Sequence, residues 1–485
     1  METLVTYIYT SLPFLFVAFV ALLSVVGIGI GMVWPRFLVY PYLATFFWIT
    51  STTYGSLAVF ATPGVYSRGS GLLFFPLVLY YTLGAWCCAR VSASFQKYPT
   101  PACNLRPWFA AWFVLLGGHV AVALFSGVKL SEALAPNGFS NIVWMAPLVA
   151  LILLSFRTRE HATELARFIL LAGLGRALFG LVRWAAFGGD PNNVYANMNA
   201  IKIKLTFFDI NDSLLCTVAF AIAAVNLFQA AKTERPRSWV AIEWMTLAAT
   251  VLCIVLSYRR TAWIGFMLAF LVIMMRFPMR RRIQLAVLGL PVVGAGLLYA
   301  AVKRLSQTKG AAHGVSSLFY DMESRRFGAE SERVLELKLA MADFLSHIVT
   351  GIGSWGRYFG YQQISWQASP EGGQFLHSGV LHVALKTGLL GLALVAGTIW
   401  AFTACARRAL RSLPPEHLAL ATAGVAGIAF MLPDFLVGTP IPQVRTTQML
   451  AVCLALPYVA MAVCLPAAAA ARALATPGRL YPVHA

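Results

Sequence analysis

The sequence predicts an all-α, polytopic membrane protein, and three observations carry that prediction. Of its 485 residues 59% are hydrophobic and only 11% charged, too little polar surface to clothe a water-soluble globule of this length. Apolar runs recur at close to the roughly 20 residues that cross a bilayer core, among them Phe14–Met32, Gly71–Trp86, Phe207–Ala231, Val240–Leu256, Ile283–Val302 and Val380–Phe402. Basic residues, finally, sort by alternate connections. Counting the runs gives about 12 or 13 transmembrane helices and one large external loop.

A net charge of +19 would suggest nucleic acid in a soluble domain, but here the loop sorting explains it and no nucleic acid is expected. One alternating set of connections carries Arg36; Arg90, Lys97 and Arg106; Arg157, Arg159 and Arg167; Lys232, Arg235 and Arg237; Arg276, Arg280, Arg281 and Arg282; Arg407, Arg408 and Arg411. The opposite short connections carry Arg68, Lys129, Lys202, Lys204, Arg259, Arg260 and Arg445, so the balance is 17 against 7 and assigns the first set to the cytoplasm. The long loop from Lys303 to Phe375 then lies outside, in the periplasm if the cell is Gram-negative. The first apolar run follows Met1 and Glu2 with no basic leader and no small-residue cleavage site, which reads as a retained helix. Phe37–Phe60 contains Pro41 and several hydroxyl residues, so it is a full or a broken span, and the side of the amino terminus stays open with it. No disulfide framework or metal site is expected: the eight cysteines lie in spans or near the cytoplasmic face, and no CxxC, HExxH or His/Cys cluster has ligand spacing.

Four parts follow along the chain: amino-terminal spans over 1–164, central spans over 165–302, the loop over 303–375 and carboxy-terminal spans over 376–485. Two stretches break the pattern of spans and short turns. Gly188–Asn211, with its Gly-Gly-Asp-Pro and paired asparagines, reads as an external turn region. In the long loop the charges nearly cancel, and Ser331 can cap a helix with Glu332 in its first turn. Leu337, Met341, Phe344, Leu345 and Ile348 then form an apolar stripe ending before Gly351, so this helix is expected to lie flat on the membrane or over a cavity.

Charges near the external ends of spans are costly in lipid and point to a water-filled cavity. Arg183 lies about one turn before Gly188–Gly189; Arg259 and Arg260 occupy the tight turn of LSYRRTAWIGF; His377 opens the helix after the loop, preceded by the glycine-rich turn Gly351–Gly356. Guanidinium forks match phosphate oxygens, so two or three of them converging would hold a diphosphate. An imidazole at a helix amino terminus is kept neutral by the dipole and can accept a proton. The plainer readings stand beside these. An isolated arginine near a span end is often a snorkelling anchor, His119 reads as a satisfied core residue, and Asp209 and Asp212 read as helix caps, with a polar cavity lining as the alternative.

At these residues the sequence resembles the O-antigen ligase and polymerase superfamily of bacterial surface-polysaccharide assembly. The features are SYRRTAW at Ser257–Trp263, then SERVLELKLAMADF and TGIGSWG in the loop, then His377–Ser378 with nine residues before Gly388-Leu-Leu-Gly391. The resemblance runs from about Leu165 to Ala401. It implies a GT-C-like, metal-independent inverting glycosyltransferase without cofactor, in a bacterial inner membrane with its active site facing the periplasm. Its donor would be an undecaprenyl-diphosphate-linked glycan and its acceptor lipid A–core or another glycan. Arg183 and one of Arg259 or Arg260 would bind the diphosphate, and His377 would act on the acceptor. Ser378 stands where many members have asparagine.

Ligase, polymerase and protein O-glycosylating activities share that donor site and differ in acceptor. A lipid-linked oligosaccharide flippase also needs a cationic cavity, but transporters more often show internal repeats and paired broken helices at the midplane. Here no repeat is visible, and the unusual residues gather at one face.

Overall fold

The computed structural model describes residues 25–50, 63–66, 74–98, 101–191, 204–228, 235–307, 332–365, 367, 372–438 and 440–464, and every regular element among them is helical. The sequence-predicted cap Ser331 and the loop cations Arg68, Lys202 and Lys232 lie outside the described residues. The first elements among the described residues are α1 (Val25–Val33) and α2 (Arg36–Trp48), bent by 113° across Trp34–Pro35. The break therefore falls at Pro35, which cannot continue the preceding helix, while Pro41 sits within α2. There follow α3 (Leu77–Phe95), α4 (Arg106–Phe125), α5 (Met145–Ser155), α6 (Arg159–Ala186), α7 (Ile210–Phe228), α8 (Arg237–Val255) and α9 (Arg260–Met274). The second part is α10 (Met279–Gln307), α11 (Glu332–Ser346), α12 (Gly379–Ser412), α13 (Leu418–Val437) and α14 (Val444–Cys464).

Among the described residues α4, α6, α7, α8, α12, α13 and α14 are each long and apolar enough to cross a membrane, seven in all, or eight if the bent pair α1–α2 is one span. The polytopic class thus stands. The larger count from apolar runs includes stretches outside the described residues and helices such as α9, whose 15 residues rise only about 22 Å. Most enclosed are α7, α13 and α14; α4 and α12 present most of their surface outward. Small residues bring the inner helices close, as at Gly265 of α9, where a Cβ would lie 2.2 Å from the Phe430 carbonyl oxygen of α13.

The amphipathic loop helix is present as α11, but it is rotated from the expected stripe. Its enclosed face centres on Glu336 and Ala340, with Leu337 and Phe344 half-buried, and packs over Leu381, Ala384 and Leu385 of α12. Met341, Leu345 and Ile348 remain exposed. Hydropathy alone cannot identify this face, because one of the two fully buried side chains on it is a carboxylate.

Candidate functional site

At the end of α6 the chain turns through Gly188 and Gly189, both at positive φ (81° and 93°). A Cβ on Gly189 would sit 2.7 Å from the Leu205 carbonyl oxygen, so only glycine lets the backbone approach Leu205 this closely. The turn returns Asp190 toward its own helix. The Asp190 backbone N–H donates to Leu205 (2.8 Å), and its Oδ2 accepts from the Phe208 N–H (2.9 Å) and pairs with Arg183 Nη2 (2.9 Å). Arg183 Nη2 also donates to the Thr206 carbonyl. Thr206 is fixed in turn by its N–H to Leu256 (3.1 Å) and its hydroxyl to Cys253 (2.8 Å), so residues 204–209 form a strap tied to the end of α8.

The second arginine grips the same strap. Between α8 and α9, Tyr258 takes φ 52° while buried, an uncommon conformation for a bulky residue, and Arg259 follows as the residue preceding α9. Arg259 Nη1 donates to the Phe208 carbonyl, and its Nη2 lies 3.4 Å from Asp434 Oδ1 near the end of α13. Arg183 and Arg259 therefore hold carbonyls two residues apart. Arg260 is the first residue of α9 and half-buried beside them.

His377 lies one residue outside the position expected for it. Ser378 is the N-cap of α12, its hydroxyl accepting from the Leu381 N–H at 3.3 Å, and the helix proper begins at Gly379. Serine and asparagine are both strong N-caps, which accounts for the interchange at this position of the signature. A carboxylate faces the imidazole: Nδ1 lies 3.0 Å from Glu336 Oε2, which accepts the His377 backbone N–H at 3.0 Å as well. Burial alone would push the Glu336 carboxyl up, but the hydrogen bonds and charge of His377, with a bond from Gln367, outweigh it and hold the group below its ordinary range.

The two parts of the site meet at one backbone contact. A Cβ on Gly379 would lie 2.7 Å from both the ring and the carbonyl oxygen of Phe435. Phe435 follows the Asp434 that pairs with Arg259, and Gly379 follows His377 by two residues. His377 and Arg259 thus flank the same junction of α12 with α13. An apolar groove of about 1090 Å³ is lined by other residues, Arg90, Arg106 and Ser354 among them.

A buried charge network behind the strap escaped the sequence reading. Arg445, sorted there with the loop cations, is instead in the first turn of α14 and 1% exposed. Its nitrogens lie 2.7 Å from Asp209 Oδ2 and 2.7 Å from Asp212 Oδ1. Asp212 also takes both Nε (3.0 Å) and Nη2 (3.1 Å) of Arg176, so it is the centre of an ion-pair cluster and not a cap. Asp209 does both jobs, accepting the Asn211 N–H at 3.0 Å. Phe207 joins this network to the strap: Arg176 and Arg183 approach its ring centroid at 4.4 and 4.8 Å. An available signal was Arg176 itself, a cation in the middle of an apolar run. His119 is not the satisfied core residue expected, because its Nδ1 is buried without a hydrogen-bond partner and its ring meets Trp355 edge-on at 6.3 Å.

Compared with known proteins, residues 245–396 match the family model described as O-Antigen ligase. No curated protein gives a match to the chain. The matched segment holds Arg259, Arg260, Glu336, His377 and Gly388, and ends before α13; Arg183 precedes it. Over residues 245–396, about a third of the chain, the sequence is therefore similar to the O-antigen ligase family.

Proposed function

We propose that the chain is a metal-independent, inverting glycosyltransferase of the ligase type. It moves a glycan from an undecaprenyl-diphosphate carrier to a hydroxyl of lipid A–core, at the periplasmic face of a bacterial inner membrane. The observation that carries this reading is the Gly379–Phe435 contact, beside which His377 and the Asp434-paired Arg259 both lie.

Each guanidinium has five N–H donors. The bonds described occupy Nη2 of Arg183 and the two Nη atoms of Arg259, fewer than the N–H groups these guanidiniums carry, so donors remain for phosphate oxygens. Arg259 is the member of the pair tied to the Arg183 strap and is taken as the phosphate ligand, with Arg260 beside it. An apolar fissure of about 140 Å³, lined by Phe435, Pro440, Ile441 and Leu432 among others, begins at the same junction and suits the first part of the prenyl chain. In the transfer the acceptor hydroxyl gives its proton to His377 Nε2, and its oxygen forms the bond to the anomeric carbon from the face opposite the diphosphate. The carbon–oxygen bond to the carrier breaks, and the diphosphate leaves with the electron pair into the field of the arginines. A single displacement inverts the configuration.

A polymerase differs only in taking a second lipid-linked repeat as acceptor. The flippase reading draws on one specific observation, the ion-paired Arg176–Asp212–Arg445–Asp209 cluster inside the bundle, since buried charges also line transport paths. The test is an in vitro reaction of purified protein with polyprenyl-diphosphate-linked glycan in excess chelator, offering lipid A–core or a second lipid-linked repeat. Transfer to lipid A–core supports the ligase, and transfer to the repeat alone supports the polymerase. Absence of transfer to either, with donor crossing the bilayer of proteoliposomes, would overturn the enzyme reading; transfer restored only by a divalent ion would overturn its metal independence.

A further inference from the structure

We propose that Glu336 is a positioning residue for the transfer: it fixes His377 in the tautomer with hydrogen on Nδ1 and balances the imidazolium formed when Nε2 takes the acceptor proton. The proposal rests on His377 as the base.

Glu336 and His377 are 41 residues apart in sequence and come together only because α11 packs over the start of α12. The carboxylate is fully buried, and both its oxygens are engaged. Oε2 accepts the His377 Nδ1–H and the His377 backbone N–H, each at 3.0 Å; Oε1 accepts from Gln367 Nε2 at 3.0 Å. Gln367, itself buried, closes the loop around the dyad by donating to the Phe375 carbonyl (2.7 Å) and accepting the Gly373 N–H (2.9 Å). The Phe375 ring meets the imidazole edge-on at 4.8 Å and 86°, which restricts rotation about the His377 side chain.

Two consequences follow from this geometry. A carboxylate accepts and does not donate, so the nitrogen facing it must carry the hydrogen, and the basic lone pair is then on Nε2. A negative charge placed at 3.0 Å before the reaction begins also stabilises the positive charge that develops on the ring. A strut that merely tied the loop to α12 would need the bond to the backbone N–H alone. The bond to Nδ1 belongs to the chemistry.

Glu336→Gln keeps the size and can still accept the backbone N–H, but removes the charge. With a polyprenyl-diphosphate-linked glycan as donor, turnover is expected to fall by about 100-fold, the lower end of what a general base supplies, with the donor KM near wild type. In a His377→Ala background the same change should cost nothing further, because the group it serves is gone. Wild-type turnover in Glu336→Gln, or losses that multiply with those of His377→Ala while the thermal midpoint drops, would overturn the proposal and leave Glu336 a strut. Wild-type turnover in His377→Ala would instead remove the base reading itself. Should Glu336→Gln fail to accumulate, Glu336→Asp keeps the charge but draws it back by one methylene. That variant should lose about 10-fold in turnover at unchanged donor KM, and full turnover in it counts equally against the proposal.

Discussion

Gly351 and Gly388 lie back to back where the loop meets the membrane helix: a Cβ on Gly351 would sit 2.5 Å from the Leu385 carbonyl oxygen, and one on Gly388 would sit 2.2 Å from the Val349 carbonyl oxygen. At Gly388 (φ 63°, ψ −158°) α12 breaks, and the helical bond from Leu389 to Leu385 is exchanged for two bonds to the loop. The Ile352 N–H donates to Leu385 (2.8 Å), and the Leu389 N–H donates to the Ile348 carbonyl (2.8 Å). The nine residues between Ser378 and Gly388 are thus the length of helix between the cap beside the histidine and the slot that receives the loop.

Gly388→Ala should therefore disturb both ends of that segment. Its backbone conformation is nearly exclusive to glycine and costs an alanine about 1–3 kcal/mol, before the overlap with Val349 is counted. A lowered thermal midpoint and a loss of transfer activity are expected. Gly117→Ala on α4, with nothing within 4 Å of the added methyl, should stay at or above wild type by both measures.

The helical class is legible in the sequence because an apolar run is a local signal, and Arg183, Arg259, Arg260 and His377 stand out there in the same way, as charged or titratable groups at the ends of such runs. The partners are not. Glu336 reads as one more acidic residue of a mixed-charge loop until α11 is seated on α12, and Asp434 reads as an ordinary residue at the end of its span. Arg445 reads as one more loop cation, and only its pairing with the aspartates Asp209 and Asp212, more than 230 residues away, makes it part of a buried helix.

Because Arg445 joins Asp209 and Asp212 in a fully buried position, removing it alone leaves two carboxylates without their shared cation. Arg445→Met should cost about 3–5 kcal/mol, the scale for breaking a buried ion pair. Low accumulation in membranes and a much lower thermal midpoint are expected. Triple replacement with Asp209→Asn and Asp212→Asn should recover part of the loss, and an unchanged midpoint in the single variant would show the cluster to be solvated.

The orientation inferred from the basic bias places the loop outside and the Arg276–Arg282 connection inside. Phe359 is 83% exposed on the loop and makes a suitable cysteine site. After Cys87→Ser removes an exposed thiol, Phe359→Cys should react with an impermeant maleimide in intact spheroplasts, and Arg280→Cys only after lysis. The reverse pattern would invert the topology.

Arginine at the strap is expected to serve the donor and not the proton. Arg259→Ala should raise the donor KM, and Arg259→Lys should restore little of it, because a point charge cannot replace a planar fork that also holds the Phe208 carbonyl and Asp434. Donor titrations at saturating acceptor measure this. Full rescue by lysine would mean that charge alone is read at this position.

Acid provides a separate test of the Glu336 contact, with its sign fixed by linkage. A carboxyl held below its ordinary value in the folded protein stabilises the fold above the unfolded value of about 4.3 and loses that contribution as the pH falls through the folded value. The docking of α11 on α12 should therefore persist at pH 5 and loosen only below about 4.3. Other charged groups pack in this region: Glu332 bonds Ser365, Asp343 bonds the Phe359 N–H, and Glu132 pairs with Arg357. Hydrogen exchange of residues 336–346 between pH 6 and 3 should show an opening step in the wild type that is absent in Glu336→Gln and present in Glu332→Gln. An opening step centred above about 4.3, or one equally present in Glu336→Gln, would assign the acid sensitivity to those neighbours instead.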